Sequence, residues 1–179
     1  NEKIAVKENN FSYDGDVEST IKGLDVICER SEALIRFVQS YRMLTKVPVP
    51  QLKTVSFHNL FDRLSILVSP FKVENNVAIQ FQYPQPDFET LMDEQMMVQV
   101  VINLVKNAAE ALSFTENPTI TICAAVHQNN LTEITVSDNG PGIPEEIMDE
   151  IFVPFFTTKE QGTGVGLSHS RGILRAHGG

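Results

Sequence analysis

The stretch 93-DEQMMVQVVINLVKNAAEAL-112 decides how the rest of the chain is read. At about 100° per residue, Met97, Val100, Val101, Leu104, Val105, Ala108 and Leu112 cover one apolar arc, while Gln99, Asn103, Lys106, Asn107 and Glu110 gather on the other. The pattern predicts an amphipathic helix with Asp93 near its N-cap. A merely solvated face would carry mostly Glu and Lys. This one places two carboxamides, Asn103 and Asn107, one turn apart, where asparagine has a small propensity cost. The pair is ligand-like, and two tolerated surface asparagines are the alternative.

Downstream of this helix, Thr119 to Val126 and Leu131 to Ser137 are two β-rich runs separated by His127-Gln128-Asn129-Asn130, a hairpin signal. Upstream, Val77 to Tyr83 alternates as a half-buried strand does, Pro84 and Pro86 break it, and Phe88 to Leu91 reads as a brief edge strand. Lys53 to Phe57 suits a short strand, and Asn59 to Val68 has helical spacing through Leu60, Phe61, Leu64 and Leu67. Strands on one side and helices on the other predict an α+β fold, a two-layer α/β sandwich, over residues 51–179.

Residues 1–50 differ in kind. Asn9-Asn10 and Asp14-Gly15 are turn signals, so residues 1–16 read as a loop. From Val17 to about Thr45, Ile21, Leu24, Ile27 or Cys28, Leu34, Phe37 or Val38, Tyr41 and Leu44 recur at intervals of three and four, giving one helix of roughly 28 residues. Lys46-Val47-Pro48-Val49-Pro50 cannot continue it and reads as an extended hinge. The helix's apolar face is expected to pair with another helix, from upstream or from a second chain; the alternative is a helix lying on its own domain.

The 179 residues are 42% hydrophobic and 21% charged, which suits one domain of ordinary size plus an accessory segment. A net charge of -9 argues against nucleic acid as a partner, because a phosphate-tracking surface needs a basic stripe. Any anionic ligand must therefore be held locally. Cys28 and Cys123 have no metal-binding spacing and fit free thiols in a reducing compartment. No apolar run reaches the roughly 20 residues of a membrane span, and no signal-peptide core opens the chain. A cytoplasmic location is expected, with a membrane anchor elsewhere in a longer product left open.

Three further motifs follow the second hairpin strand. Asp138-Asn139-Gly140-Pro141-Gly142-Ile143 sets a carboxylate at a strand end beside backbone that can turn sharply and approach a ligand closely, though an ordinary turn has the same composition. Ile151 to Lys159 (IFVPFFTTK) puts three phenylalanines beside a Thr157-Thr158-Lys159 tail, as a core-anchored loop would also do. Gly162-Thr163-Gly164-Val165-Gly166-Leu167 precedes an apolar-periodic segment, Leu167 to Ala176. A glycine-rich turn opening a helix presents unpaired N–H groups and the positive helix end to an anion. It is neither a P-loop, lacking G-x-x-x-x-G-K-[ST], nor the dinucleotide fingerprint, since its glycines run G-x-G-x-G with no strand before them.

In this order, NLVKNAAEAL, DNGPGI, PFFTTK and GTGVGL resemble the N, G1, F and G2 boxes of sensor histidine kinases of the nitrogen-regulation type. The catalytic domain of those kinases belongs to the superfamily shared with gyrase-type ATPases. The resemblance runs from about Gln51 to Gly179 and implies a Bergerat-type ATP-binding fold. It also makes Val17 to Thr45 similar to the second helix of a dimerisation hairpin, with the first helix and a C-terminal core strand expected outside residues 1–179.

The resemblance implies ATP and magnesium as cofactors. It assigns Asp138 as acceptor for the adenine amino group and Asn107 as the magnesium ligand, with Asn103 supporting phosphates or metal-bound water. Lys106 and Lys159 would neutralise phosphate charge, and Ile143 and Leu167 would line the adenine pocket. Gly162, Gly164 and Gly166 would form the hinge and phosphate cradle, with Gly140, Gly142, Thr157, Thr158, Thr163 and Val165 also at the nucleotide.

Two departures sharpen the expectation. Gyrase-type hydrolases carry a water-activating glutamate where this chain has Asn103, and an amide cannot take a proton, so transfer is expected in place of efficient hydrolysis. None of His58, His127, His169 and His177 stands in the His-Glu/Asp context of a phosphoacceptor, and each is expected to be structural. The implied function is transfer of the ATP γ-phosphoryl to a histidine outside these residues and onward to a response regulator aspartate, in a homodimer. A regulatory ATP-binding scaffold and a gyrase-type hydrolase are the rival readings.

Overall fold

A computed structural model describes residues 13–45, 47–74, 76–127, 131–159 and 162–179. The chain divides into two compact units, Asn1–Ser40 and Tyr41–Gly179. The helix α1 spans Tyr13–Thr45, about 50 Å at 1.5 Å per residue. It therefore begins four residues before the expected start, and residues 13–16 are helix, not loop; the rest of that expected loop, 1–12, lies outside the described residues. Adding a turn to an existing helix avoids the cost of nucleation, and one glycine costs only about 1 kcal/mol, so Gly15 does not stop it. Along α1, Val17, Ile21, Leu24, Ile27, Leu34, Phe37, Val38 and Tyr41 are all 48–63% exposed, an apolar stripe open to solvent. The side chain of Leu44 and all of Lys46 fall outside the described residues. No described helix is long and apolar enough to cross a membrane.

The second unit runs β1 (Lys53–Ser56), α2 (Phe57–Leu67), α3 (Ser69–Glu74), β2 (Ala78–Gln82), β3 (Glu89–Met92), α4 (Glu94–Ala111), β4 (Thr119–Val126), β5 (Thr132–Asp138), a 3-10 turn at Glu145–Ile147, and α5 (Gly166–Ala176). β1 and β3 pair antiparallel, with Val55 opposite Thr90. In the other sheet β4 is central: β2 runs parallel to it with Phe81 opposite Ile122, and β5 antiparallel with Val136 opposite Ile122. The β4–β5 pairing is that of the expected hairpin, whose connection at residues 128–130 lies outside the described residues.

α2 starts at Phe57, two residues before the apolar spacing implies, because Ser56 caps it by accepting the Asn59 N–H at 3.3 Å. Phe57, Leu60, Phe61 and Leu64 are then wholly buried. The short α3 has no amphipathic signature; Pro70 sits in its first turn, where an N–H has no helical partner to lose.

α4 is the middle of the helical layer. Met97, Val100, Val101, Val105, Ala108 and Leu112 are buried as the pattern requires, and so are Met96, Val98 and Ala109, because α4 packs against α2, α5, β4 and β5 together. Each large apolar chain so buried contributes roughly 1.5–3 kcal/mol. At its start the Asp93 carboxylate accepts the Met96 N–H at 3.1 Å and the Gln51 N–H at 2.9 Å. The Asp93 N–H in turn donates to His177 Nε2 at 3.0 Å, which leaves Nδ1 to donate to the Ile173 carbonyl at 2.8 Å. The end of α5, the start of α4 and the exit of the hinge are thus joined. Val47 rests on the same core, beside Gly172 of α5.

Candidate functional site

The connection from β5 to α5 folds over the polar arc of α4. Asp138 is the last residue of β5 and stays exposed, with Oδ1 accepting the Gly140 N–H at 2.9 Å. Asn139 ties the turn back to β4: its Oδ1 accepts the Thr119 N–H at 2.8 Å and its Nδ2 donates to the Asn117 carbonyl at 3.1 Å. A Cβ on Gly140 would lie 2.8 Å from Asp138 Oδ1, so a side chain there would push on the carboxylate that accepts the Gly140 N–H, whereas Leu112 Cδ2 at 3.4 Å would be in ordinary contact. Gly142 follows with φ 77, and Ile143 is 46% exposed.

The Phe-rich segment and the second glycine motif hold each other. Phe155 donates its N–H to the Gly164 carbonyl at 2.9 Å. A Cβ on Gly164 would fall 2.6 Å from the carbonyl oxygens of both Phe155 and Phe156. Val165, next in line, is wholly buried and anchors the motif. Between them, Thr157 Oγ1 accepts the Lys159 N–H at 3.1 Å and the Gly162 N–H donates to the Lys159 carbonyl at 3.1 Å. Thr158 and Thr163 are exposed, and residues 160 and 161 lie outside the described residues.

α5 begins at Gly166 without a side-chain cap, which leaves its first N–H groups to a ligand. It begins directly against Asn103: a Cβ on Gly166 would overlap the carboxamide oxygen and lie 3.0 Å from Cγ. Asn103 Nδ2 donates to the buried Ser170 Oγ at 3.0 Å, so the carboxamide spans the first turn of α5. One turn further along α4, Asn107 Oδ1 lies 3.5 Å from Lys159 Nζ. Lys159 also forms an ion pair with Glu110, whose other oxygen is 3.9 Å from Lys106 Nζ.

The structure therefore brings together Asn103 with Gly166, Asn107 with Lys159, and Asp138 with Gly140. Leu167 lines an apolar cleft of about 390 Å³ with Val100, Leu104, Phe152, Ser170, Arg171 and Leu174. The Arg171 guanidinium lies 5.2 Å over the Phe152 ring beside it. The sequence reading passed over Glu110 and Ser170. Both carry a signal, since Glu110 is three residues from Asn107 on one helix face and Ser170 four from Gly166.

The residues fit a magnesium-bound polyphosphate. The Asn107 oxygen already faces a cation, Lys106 and Lys159 both lie beside Glu110 on the same helix face, and the start of α5 next to Asn103 has no side-chain cap. Hard magnesium accepts such an oxygen with phosphates and water completing its shell.

Residues 92–179 match the family described as histidine kinase-, DNA gyrase B- and HSP90-like ATPase. The chain is 32% identical over 163 residues to the sensory histidine kinase/phosphatase NtrB of Vibrio alginolyticus, covering 86% of this chain and 46% of that protein, so it spans about half of that relative's length. Among solved structures it resembles the catalytic domain of histidine kinase ThkA at 35% identity and a TM-score of 0.61, over 70% of this chain and 80% of that one. It also resembles ThkA in complex with the response regulator protein TrrA, at 27% identity and a TM-score of 0.65, over 95% of this chain and 45% of that one.

Proposed function

Since the chain belongs to the catalytic-domain family of sensor histidine kinases, we propose that it binds ATP with magnesium and transfers the γ-phosphoryl to a histidine outside residues 1–179, from which it passes to an aspartate of a response regulator. The observation that carries this reading is the uncapped, glycine-opened start of α5 packed on the Asn103 carboxamide, with Asn107 and two lysines one turn away.

In this reading Asp138 accepts the adenine amino group and Ile143 offers the ring an apolar surface. Gly162, Gly164 and Gly166 let backbone N–H groups approach the phosphates, and Lys106 and Lys159 offset their charge. Asn107 holds magnesium through its carboxamide oxygen; the ion, when bound, neutralises and aligns the phosphates. Asn103 is an amide hydrogen-bonded to Ser170 and cannot activate water, which favours transfer over hydrolysis. The chain contributes positioning and electrostatics, which make up most of phosphoryl-transfer catalysis.

The open apolar stripe of α1 supports pairing of two chains through this helix. The likeness to ThkA, solved with its regulator, supports a receiver domain as partner. The test is to give the full-length protein γ-labelled ATP and magnesium: an acid-labile, base-stable label on protein is expected, and none would overturn the assignment. Residues 1–179 alone are expected to remain unlabelled.

A further inference from the structure

We propose that Lys159 is a stand-in cation on Asn107 when no nucleotide is bound, and that Glu110 is the positioning residue that keeps it there, so that magnesium nucleotide binds by displacing it. The inference rests on the reading of this site as one for magnesium nucleotide.

Three observations carry it. The Lys159 ammonium is paired with Glu110 and lies 3.5 Å from Asn107 Oδ1, the oxygen best placed for the metal. A metal ion and an ammonium at contact distances of about 4 Å on that oxygen would repel each other, so the two compete for it. Next, Asn107 and Glu110 are three residues apart on α4, so their side chains lie on one face and act on the same ammonium. Lastly, the Lys159 backbone is held on both sides, its N–H by Thr157 Oγ1 and its carbonyl by the Gly162 N–H. Exchange therefore needs only the flexible four-carbon side chain to move. Glu110 also has a plain electrostatic oddity: a carboxylate beside a polyphosphate site weakens anion binding unless it acts on a cation. It faces both nearby lysines, at Lys106 and Lys159.

The test uses the full-length protein and two readouts. In nucleotide-free protein, acylation of Lys159 by a water-soluble succinimidyl ester, mapped by mass spectrometry, should rise roughly two- to fivefold in Glu110→Gln, the range set by a half-exposed ion pair. By calorimetry, Glu110→Gln should tighten magnesium-ATP by about the same factor, and this gain should vanish in a Lys159→Met background. An equal gain in both backgrounds would mean simple removal of negative charge and would overturn the proposal, as would weaker binding or unchanged labelling in Glu110→Gln. No binding of magnesium-ATP by the unaltered protein would instead defeat the nucleotide reading itself, and this inference with it.

Discussion

The Phe155 N–H donates to the Gly164 carbonyl at 2.9 Å while both residues hold left-handed backbone, at φ 69 and 65. For a phenylalanine this conformation is strained by about 1–2 kcal/mol, and the contact with Gly164 is part of what holds it. Gly164→Ala adds a side chain to a left-handed position and forces it into the Phe155 and Phe156 carbonyls. A loss of at least about 2 kcal/mol is expected, with a fall of several degrees in Tm. Nucleotide affinity should fall with it; thermal denaturation and calorimetry read the two effects.

Gly166 presents a different case, because its backbone is ordinary helix and only space forbids a side chain. Gly166→Ala should leave the fold intact, since it strikes only the mobile end of a side chain, yet push the Asn103 carboxamide off Ser170 and weaken magnesium-ATP about tenfold or more. Adding Asn103→Ala removes the atoms it strikes. The double variant should therefore lose less affinity than the sum of the two single changes, a non-additivity that calorimetry detects.

Asp138→Asn keeps an oxygen to accept the Gly140 N–H, so the turn and the melting temperature should hold. What disappears is the charge that strengthens a hydrogen bond from the adenine amino group. ATP affinity should drop about tenfold, and inorganic triphosphate, which has no base, should bind unaltered protein and variant alike. Equal losses for the two ligands would place Asp138 at the phosphates instead.

The Asp93 carboxyl is held below the ordinary carboxylate range, chiefly by the Gln51 N–H, then by the N–H groups of Met96 and Gln95 and the nearby His177. A depressed folded pKa means that the unfolded chain takes up the proton first on acidification. The stabilisation is thus complete above the unfolded value near 3.9 and is lost as pH falls through the lower folded value. Urea unfolding should find stability declining as pH falls below about 4, less steeply in Asp93→Asn. Asp93→Ala should cost about 1–2 kcal/mol at neutral pH through loss of the cap.

Much of the architecture is legible locally. β4 begins and ends where its alternation does, Asp93 caps α4, and the glycine-rich turn opens α5, because hydrophobic period and capping chemistry act over a few residues. The missed features are those that depend on distant neighbours. Val98 and Ala109 are buried because α4 is enclosed from several directions, and the left-handed Phe155 makes sense only beside Gly164. Leu167 shares an apolar cleft with Phe152 and Leu104, neighbours that lie far from it in sequence. Lys159 and Glu110 are 49 residues apart, and no periodicity links them.

The parallel pairing of β2 with β4 sets a condition on how the molecule forms. Residues facing each other, such as Ala78 and Thr119, are brought together only across a connection that contains β3 and all of α4. Closing so long a loop costs entropy before the sheet returns any stability, and non-local pairing of this kind slows folding. Folding α4 shortens the span that this closure bridges, because a helix rises only about 1.5 Å per residue. The helix that carries Asn103 and Asn107 thus lies inside the connection that the parallel pair must close, so a change that weakens α4 also raises the entropic cost of bringing β2 to β4.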